Sequence, residues 1–147
     1  MFIQGLLDRG STGVLEKVMA FTEARHEVLA NNISNIDTVG YRMQDLSVAQ
    51  FDKSLSEAIA RREKSGASAP LTLRSSRNLT WDSRGRLHAT ATEIDSDETN
   101  ILFHDRNNRF VEKQMSEMSK NALRHQVVAA LLKGKYDGIS MAIRGRL

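Results

Sequence analysis

The residues that most constrain the fold are Val111, Met115, Met118, Ala122, His125, Ala129, Leu132, Tyr136, Ile139 and Ile143. Their spacing alternates four and three, and only His125 breaks the apolar run. Such spacing keeps one stripe on one side of a helix, the pattern of a coiled-coil seam. Lys113, Glu117, Lys120 and Arg124 fall off the stripe, where they are expected to face solvent or neighbouring subunits. Gly134 and Gly138 each cost a helix about 1 kcal/mol relative to alanine. They imply close approach of another backbone, or a helix that frays when alone. His125 reads as a satisfied structural histidine, and a pH-responsive contact is the lesser reading. Met115 and Met118 read as packing residues.

A weaker stripe runs near the other end. Val14, Val18, Phe21, Val28 and Leu29 share one face, continued by Ile33 and Ile36 and interrupted by Arg25 and Asn32. A helix is expected over about 13–35, capped by Ser11 or Thr12. Val48, Phe51, Leu55 and Ile59 predict a short amphipathic helix over about 47–62, capped by Asp45 or Ser47. Gly66 and Pro70 end that pattern. "LTWDSRGRLHATATEI" has the alternation of a small hairpin, with Gly85 in a left-handed turn position.

The fold class that follows is mainly α. Long N- and C-terminal helices form an antiparallel coiled-coil hairpin around a loose middle containing the short helix and a small β-hairpin. The organisation expected is an N-terminal assembly helix over 1–36, a bend and variable middle over 37–109, and a C-terminal assembly helix over 110–147. A two-helix hairpin leaves part of a broad apolar face wet, at about 25 cal/mol per Å². Burial between subunits removes that cost, so Val18, Phe21 and Leu29 join the ten C-terminal positions as a candidate assembly seam.

The 147 residues contain no cysteine, which excludes disulfides, a thiol nucleophile and thiolate-bound zinc. No apolar run is long enough to span a membrane. The first residues lack the basic and apolar regions of an ordinary secretory signal. His26-Glu27 opens like the H-E-x-x-H zinc motif, but Ala30 stands where that motif has its second histidine, and no other catalytic or phosphate-binding signature is present. No catalytic group, cofactor or metal is therefore expected. Net charge is +3. Residues 61–88 are locally basic, and Glu93, Asp95, Asp97 and Glu98 follow as an acidic cluster. This reads as a solvated middle, with a docking patch as the alternative.

"LANNISNIDTVGYR", residues 29–42, concentrates turn chemistry at the end of the first helix. Asparagine side chains bond nearby backbone groups. Gly40 supplies a position that would strain other residues. Tyr41 can pack its ring and still reach a hydrogen-bond partner. Physics alone gives either an ordinary helix end or a specified bend.

The same stretch resembles the A-N-N-I-A-N-x-x-T-P-G-Y-K signature of bacterial flagellar rod and hook proteins. Ala30, Asn31, Asn32, Ile33, Asn35, Thr38, Gly40 and Tyr41 carry the match. Val39 stands where the family has proline, and Arg42 where it has lysine. "YRMQDLSVAQFDKSLSEAI" is similar to the segment after the signature in the short, proximal-rod type. "DRNNRFVEKQMSEMSKNALRH" is similar to that type's D-G-N-N-V-D-L-E-x-E-M-x-x-M-A-x-N-x-x-x-Y, with Arg106, Phe110 and His125 as departures. Asn107 or Asn108 is expected to cap that helix.

The resemblance implies a structural subunit of the flagellar basal-body rod, which crosses the periplasm and transmits torque. It implies export by the flagellar type III route without a cleaved signal, and terminal helices that pack as coiled coils on assembly. The implied partners are further copies, a FliE-type adaptor, rod proteins of the FlgC, FlgF and FlgG types, and the motor ring below. Neither nucleic acid nor a membrane span is implied. The rival classes are a soluble coiled-coil adaptor or chaperone, folded by itself, and a helical module binding nucleic acid through the basic middle. Against the last, Trp81 is the lone aromatic among those basic residues.

Overall fold

The computed structural model describes residues 11–65, 71–76, 78–82, 86–94 and 108–145. Three helices dominate: α1 over Thr12–Ser34, α2 over Val48–Ser65 and α3 over Asn108–Ile143. Four short strands lie between them: β1 (Gln44–Asp45), β2 (Leu79–Trp81), β3 (Leu87–Ala89) and β4 (Thr92–Glu93). Gly85, Asn107, and the Gly66 and Pro70 break fall outside the described residues.

Helix α1 starts without its expected cap. Ser11 makes no side-chain cap bond, because its backbone is already helical (φ −79°, ψ −11°). A capping side chain needs an extended backbone to reach back to the first free N–H groups. Helix α2 does have its cap, since Ser47 Oγ accepts from the Gln50 N–H at 3.3 Å. Asp45, the other candidate, lies in β1 and faces Arg25 instead. Phe51, Leu55 and Ala58 form the buried face of α2. The Phe51 ring stacks on Phe21 of α1, with centroids 4.1 Å apart and planes 4° from parallel.

Helix α3 runs antiparallel to α1. The side-chain bonds between them descend in order: Asn32 with Gln114, Arg25 with Glu117, Thr22 with Asn121 and His125, and Glu16 with Tyr136. The stripe of α3 that faces inward differs from the seam expected from apolar spacing. Gln114, Asn121 and Val128 are its buried positions. Met118, His125, Leu132 and Ile139 lie beside them, half-buried, as do Val111, Ala122 and Ala129. Met115, Tyr136 and Ile143 are exposed. The helix is turned by part of a revolution because two buried positions are polar, and a reading of apolar spacing passes over them. Glu117 and Arg124, expected to face solvent or neighbouring subunits, are half-buried and paired with Arg25 and Asp52 of the same chain.

The expected hairpin is present. β2 pairs antiparallel with β3, with Leu79 opposite Ala89 and Trp81 opposite Leu87. A second pairing joins β1 to β4, with Gln44 opposite Glu93. Neither strand of that pair is long enough to show alternation in the sequence. One apolar cluster takes Val18 and Phe21 from α1, Phe51, Leu55 and Ala58 from α2, Leu79 from β2 and Val128 from α3. Leu46, Leu71 and Leu73 complete it from the connecting segments. Lys17 holds the hairpin to α1 by lying 4.2 Å above the Trp81 ring.

Candidate functional site

The turn-rich segment after α1 folds back along the helix it leaves. The Asn35 N–H and its side-chain Nδ2 both donate to the Asn31 carbonyl, at 3.1 and 2.9 Å. One of the helix's last carbonyls thereby accepts twice from a single residue. Asn35 is not left-handed (φ −108°). The left-handed position falls at Gly40, with φ +79°. The Tyr41 N–H donates to the Thr38 carbonyl at 3.1 Å. That bond and a positive φ at the third residue make Thr38–Tyr41 a type II turn, with Val39 in the position that favours proline. The Val39 side chain is fully exposed at its tip.

The bend is fastened by Asn32. This side chain is wholly buried, and each of its hydrogen-bonding positions is filled. Its Nδ2 donates to the Gln44 carbonyl at 2.6 Å and to Gln114 Oε1 at 3.2 Å. Its Oδ1 accepts from the Gln44 N–H at 3.0 Å and from the Tyr41 hydroxyl at 3.1 Å. One amide therefore joins the end of α1, the returning chain and helix α3. Gln114 Nε2 points onward to Met43 Sδ at 3.8 Å. Among the described residues, no buried side-chain nitrogen or oxygen lacks a partner. A satisfied polar network of this kind specifies one arrangement, because a shift by one residue would strand several buried groups.

A second cluster lies two turns up α1. Arg25 is buried, and its Nε donates to the Leu46 carbonyl at 3.2 Å. Its Nη2 reaches Glu117 Oε2 at 3.0 Å and Asp45 Oδ1 at 3.4 Å. Glu117 also accepts from Lys120 Nζ at 2.8 Å. Lys120, and then Arg25, hold the Glu117 carboxyl below the usual carboxylate range. Further along, Asn121 Nδ2 donates to the Thr22 carbonyl at 2.8 Å. The Thr22 hydroxyl donates to the Met19 carbonyl, so it accepts from His125 Nδ1 at 3.0 Å. His125 is thus a satisfied structural residue. Tyr136 donates to Glu16 Oε1 at 2.8 Å, which holds the phenol above its usual range.

The structure thus brings together Asn31, Asn32, Asn35, Thr38, Gly40 and Tyr41 in one bend. Ala30 and Ile33 are half-buried on α1 beside it. Gln44, Gln114 and the Arg25–Glu117 pair belong to the same surface, and the sequence reading did not place them there. The available signal was a polar residue at a core-facing position on each of two helices. Val18, Phe21 and Leu29 are buried within the chain itself. Among the described residues, no group of three or more side chains is arranged to hold a metal ion. No described helix is long and apolar enough to cross a membrane.

The model of the family described as "Flagella basal body rod protein" matches residues 19–42, most of α1 and the bend built on Asn32. The flagellar basal body rod protein FlgB of Bacillus subtilis is 24% identical, over 92% of this chain and 95% of its own. FlgB of Salmonella typhimurium is 28% identical, over 82% of this chain and 83% of its own. Over most of its length the chain is similar to rod proteins of the FlgB type. FlgB of Yersinia enterocolitica extends the likeness to 95% of this chain and 98% of its own, at 22% identity. The FlgB-type likeness therefore takes in α2, the hairpin and α3 as well as the bend. No solved structure matches the chain.

Proposed function

We propose that this chain is a structural subunit of the bacterial flagellar basal-body rod. The observation that carries the reading is the coincidence of the rod-family match with the Asn32-centred bend. The bend has the build of an assembly part. It fixes the direction in which the chain leaves α1 and ties that direction to α3, using hydrogen bonds that admit one register. The role is mechanical, and no substrate or cofactor enters it.

The finer reading places the subunit in the proximal rod, reached by flagellar type III export without a cleaved signal, where it transmits torque. Its neighbours there are further copies, a FliE-type adaptor and rod proteins of the FlgC, FlgF and FlgG types. The terminal helices make those contacts. Met115 and Ile143, exposed in the single chain, are free to do so, while Tyr136 is already tied to Glu16 by its hydroxyl. Val18, Phe21 and Leu29 act from beneath, by holding α1 to its own core.

Purified basal bodies test this reading. The chain is expected among the rod proteins after washing that removes soluble partners, in a fixed ratio to the other rod subunits. Its absence from washed basal bodies, with the full amount recovered in the soluble fraction, would overturn the reading in favour of a soluble adaptor.

A further inference from the structure

The C-terminal half of α3 keeps an apolar band on its outer side. At about 100° per residue, Val127, Ala130, Gly134, Gly138 and Met141 share that band, away from the buried Asn121 and Val128. Leu131 stands at its edge. Val127, Leu131 and Met141 are 51%, 54% and 55% exposed. A Cβ added at Gly134 or Gly138 would meet nothing within 4 Å, so no described group covers the band there. Cations line both sides of it. Lys133 and Arg144 lie on one flank and Lys135 on the other, each about 80–100° from the centre of the band. All three are exposed. None of them has an ion-pair partner among the described residues. Asp137 is the one acidic residue between Leu123 and Arg144.

We propose that this half of α3 binds the surface of an anionic lipid bilayer, lying along it with the apolar band toward the acyl chains. A helix at such an interface buries its apolar face near the headgroups. Lysine and arginine at the edges lay their stems beside that face and carry their charges out to the phosphates. A plane meets both edges of the band at once, so cations on both flanks are matched there. Nucleic acid fits less well, because the centre of the face is apolar and holds no aromatic side chain on which a base could stack. Helix α1 lies behind α3, on the side of Asn121 and Val128, and leaves this side open. No described helix is long and apolar enough to cross a membrane, so the contact is peripheral. Three cations and a narrow band make it weak, reversible and sensitive to salt. The bound species is the free chain, and the inference does not depend on the rod reading.

Co-sedimentation of the purified full chain with vesicles tests the contact, with the helical circular dichroism of each variant checked first. One set of vesicles is phosphatidylcholine alone, and the other is an equal mixture with phosphatidylglycerol. Wild type is expected to pellet with the mixed vesicles at low salt and to stay free of the neutral ones. It should be released by about 0.5 M salt, where charges are screened beyond a few ångströms. K133Q, K135Q and R144Q should each weaken binding about fivefold. L131S/M141S should weaken it by about tenfold through lost apolar burial. The cysteine-free background allows a second readout. A polarity-sensitive dye on M141C should shift to the blue with mixed vesicles, while the same dye on V39C, at the bend, should not. No pelleting with mixed vesicles at low salt overturns the proposal, whether the chain stays free or joins a second copy. So does equal binding to both vesicles, binding that the three charge variants leave unchanged, or a shift at V39C without one at M141C.

Discussion

Asn32 shows how much one amide can decide. Its two donors and two acceptor positions are all occupied, and its partners come from three parts of the chain. Asn32→Ala leaves the Gln44 N–H and carbonyl and the buried Gln114 amide without that partner. The expected loss is about 2–3 kcal/mol in urea denaturation, because stranded buried groups cost more than the bonds themselves gain. Unchanged stability would mean that water fills the site and the network specifies little. Val39 offers the opposite sign. It occupies the second position of a type II turn, where proline's fixed φ fits. Val39→Pro is expected to stabilise the chain by about 0.4–1 kcal/mol, mainly by restricting the unfolded state. Thermal melts decide it, and a lower Tm would show that the turn is not of that type.

Glu117 gives the acid dependence. Lys120 and Arg25 lower its carboxyl in the folded chain, so the folded state binds that proton less readily than the unfolded state. The stability it contributes is present above the ordinary carboxylate value and is lost as pH falls through the lowered one. Solvent screening of this partly exposed group keeps the effect modest. The Tm of wild type is expected to exceed that of Glu117→Gln at neutral pH, and the two are expected to converge in acid. Parallel curves across that range would remove Glu117 from the account.

At the scale of elements, α2 depends on one aromatic contact. Phe51 and Phe21 are both fully buried and stacked. Phe51→Ala is expected to cost about 3–5 kcal/mol, through lost burial and the cavity left behind. Amide exchange should then show α2 opening before α1 and α3. Equal opening of all three helices would mean that they form one cooperative unit.

Legibility differs between these elements for physical reasons. Phe51, Leu55 and Ile59 repeat at helical spacing, and Ser47 is a strong cap, so α2 was readable to within a few residues. The bend was readable mainly from Gly40, because few residues serve its left-handed conformation, whereas Asn35 takes an ordinary one and contributes through its side-chain bond. The inward stripe of α3 was not. Gln114 and Asn121 are polar, and their burial depends on Asn32 and Thr22, which lie far away in sequence. The β1–β4 pairing escaped for a similar reason, since Gln44 and Asp45 meet Thr92 and Glu93 only through the tertiary fold. Apolar periodicity reports that a helix has a face, and polar partners then decide which way the face turns.

Among the described residues, the largest packing unit is the α1–α3 helix pair, whose inner contact buries Asn32, Gln114 and Asn121 while its outer surface keeps apolar side chains uncovered. Leu123, at 63%, extends the exposed row toward the middle of α3. A chain that served alone would gain by turning those residues inward, since wet apolar area is unfavourable. A subunit gains by keeping them for its neighbours. The fixed bend, the charged Arg25 cluster and the outward stripe all fit a part whose shape must be set before it meets others.

The most direct measurement is electron microscopy of basal bodies from a strain lacking this gene, with swimming scored alongside. The account predicts motor rings without a rod in cells that do not swim, and recovery of both when the wild-type gene returns. Complete rods and normal swimming in the deletion strain would contradict it.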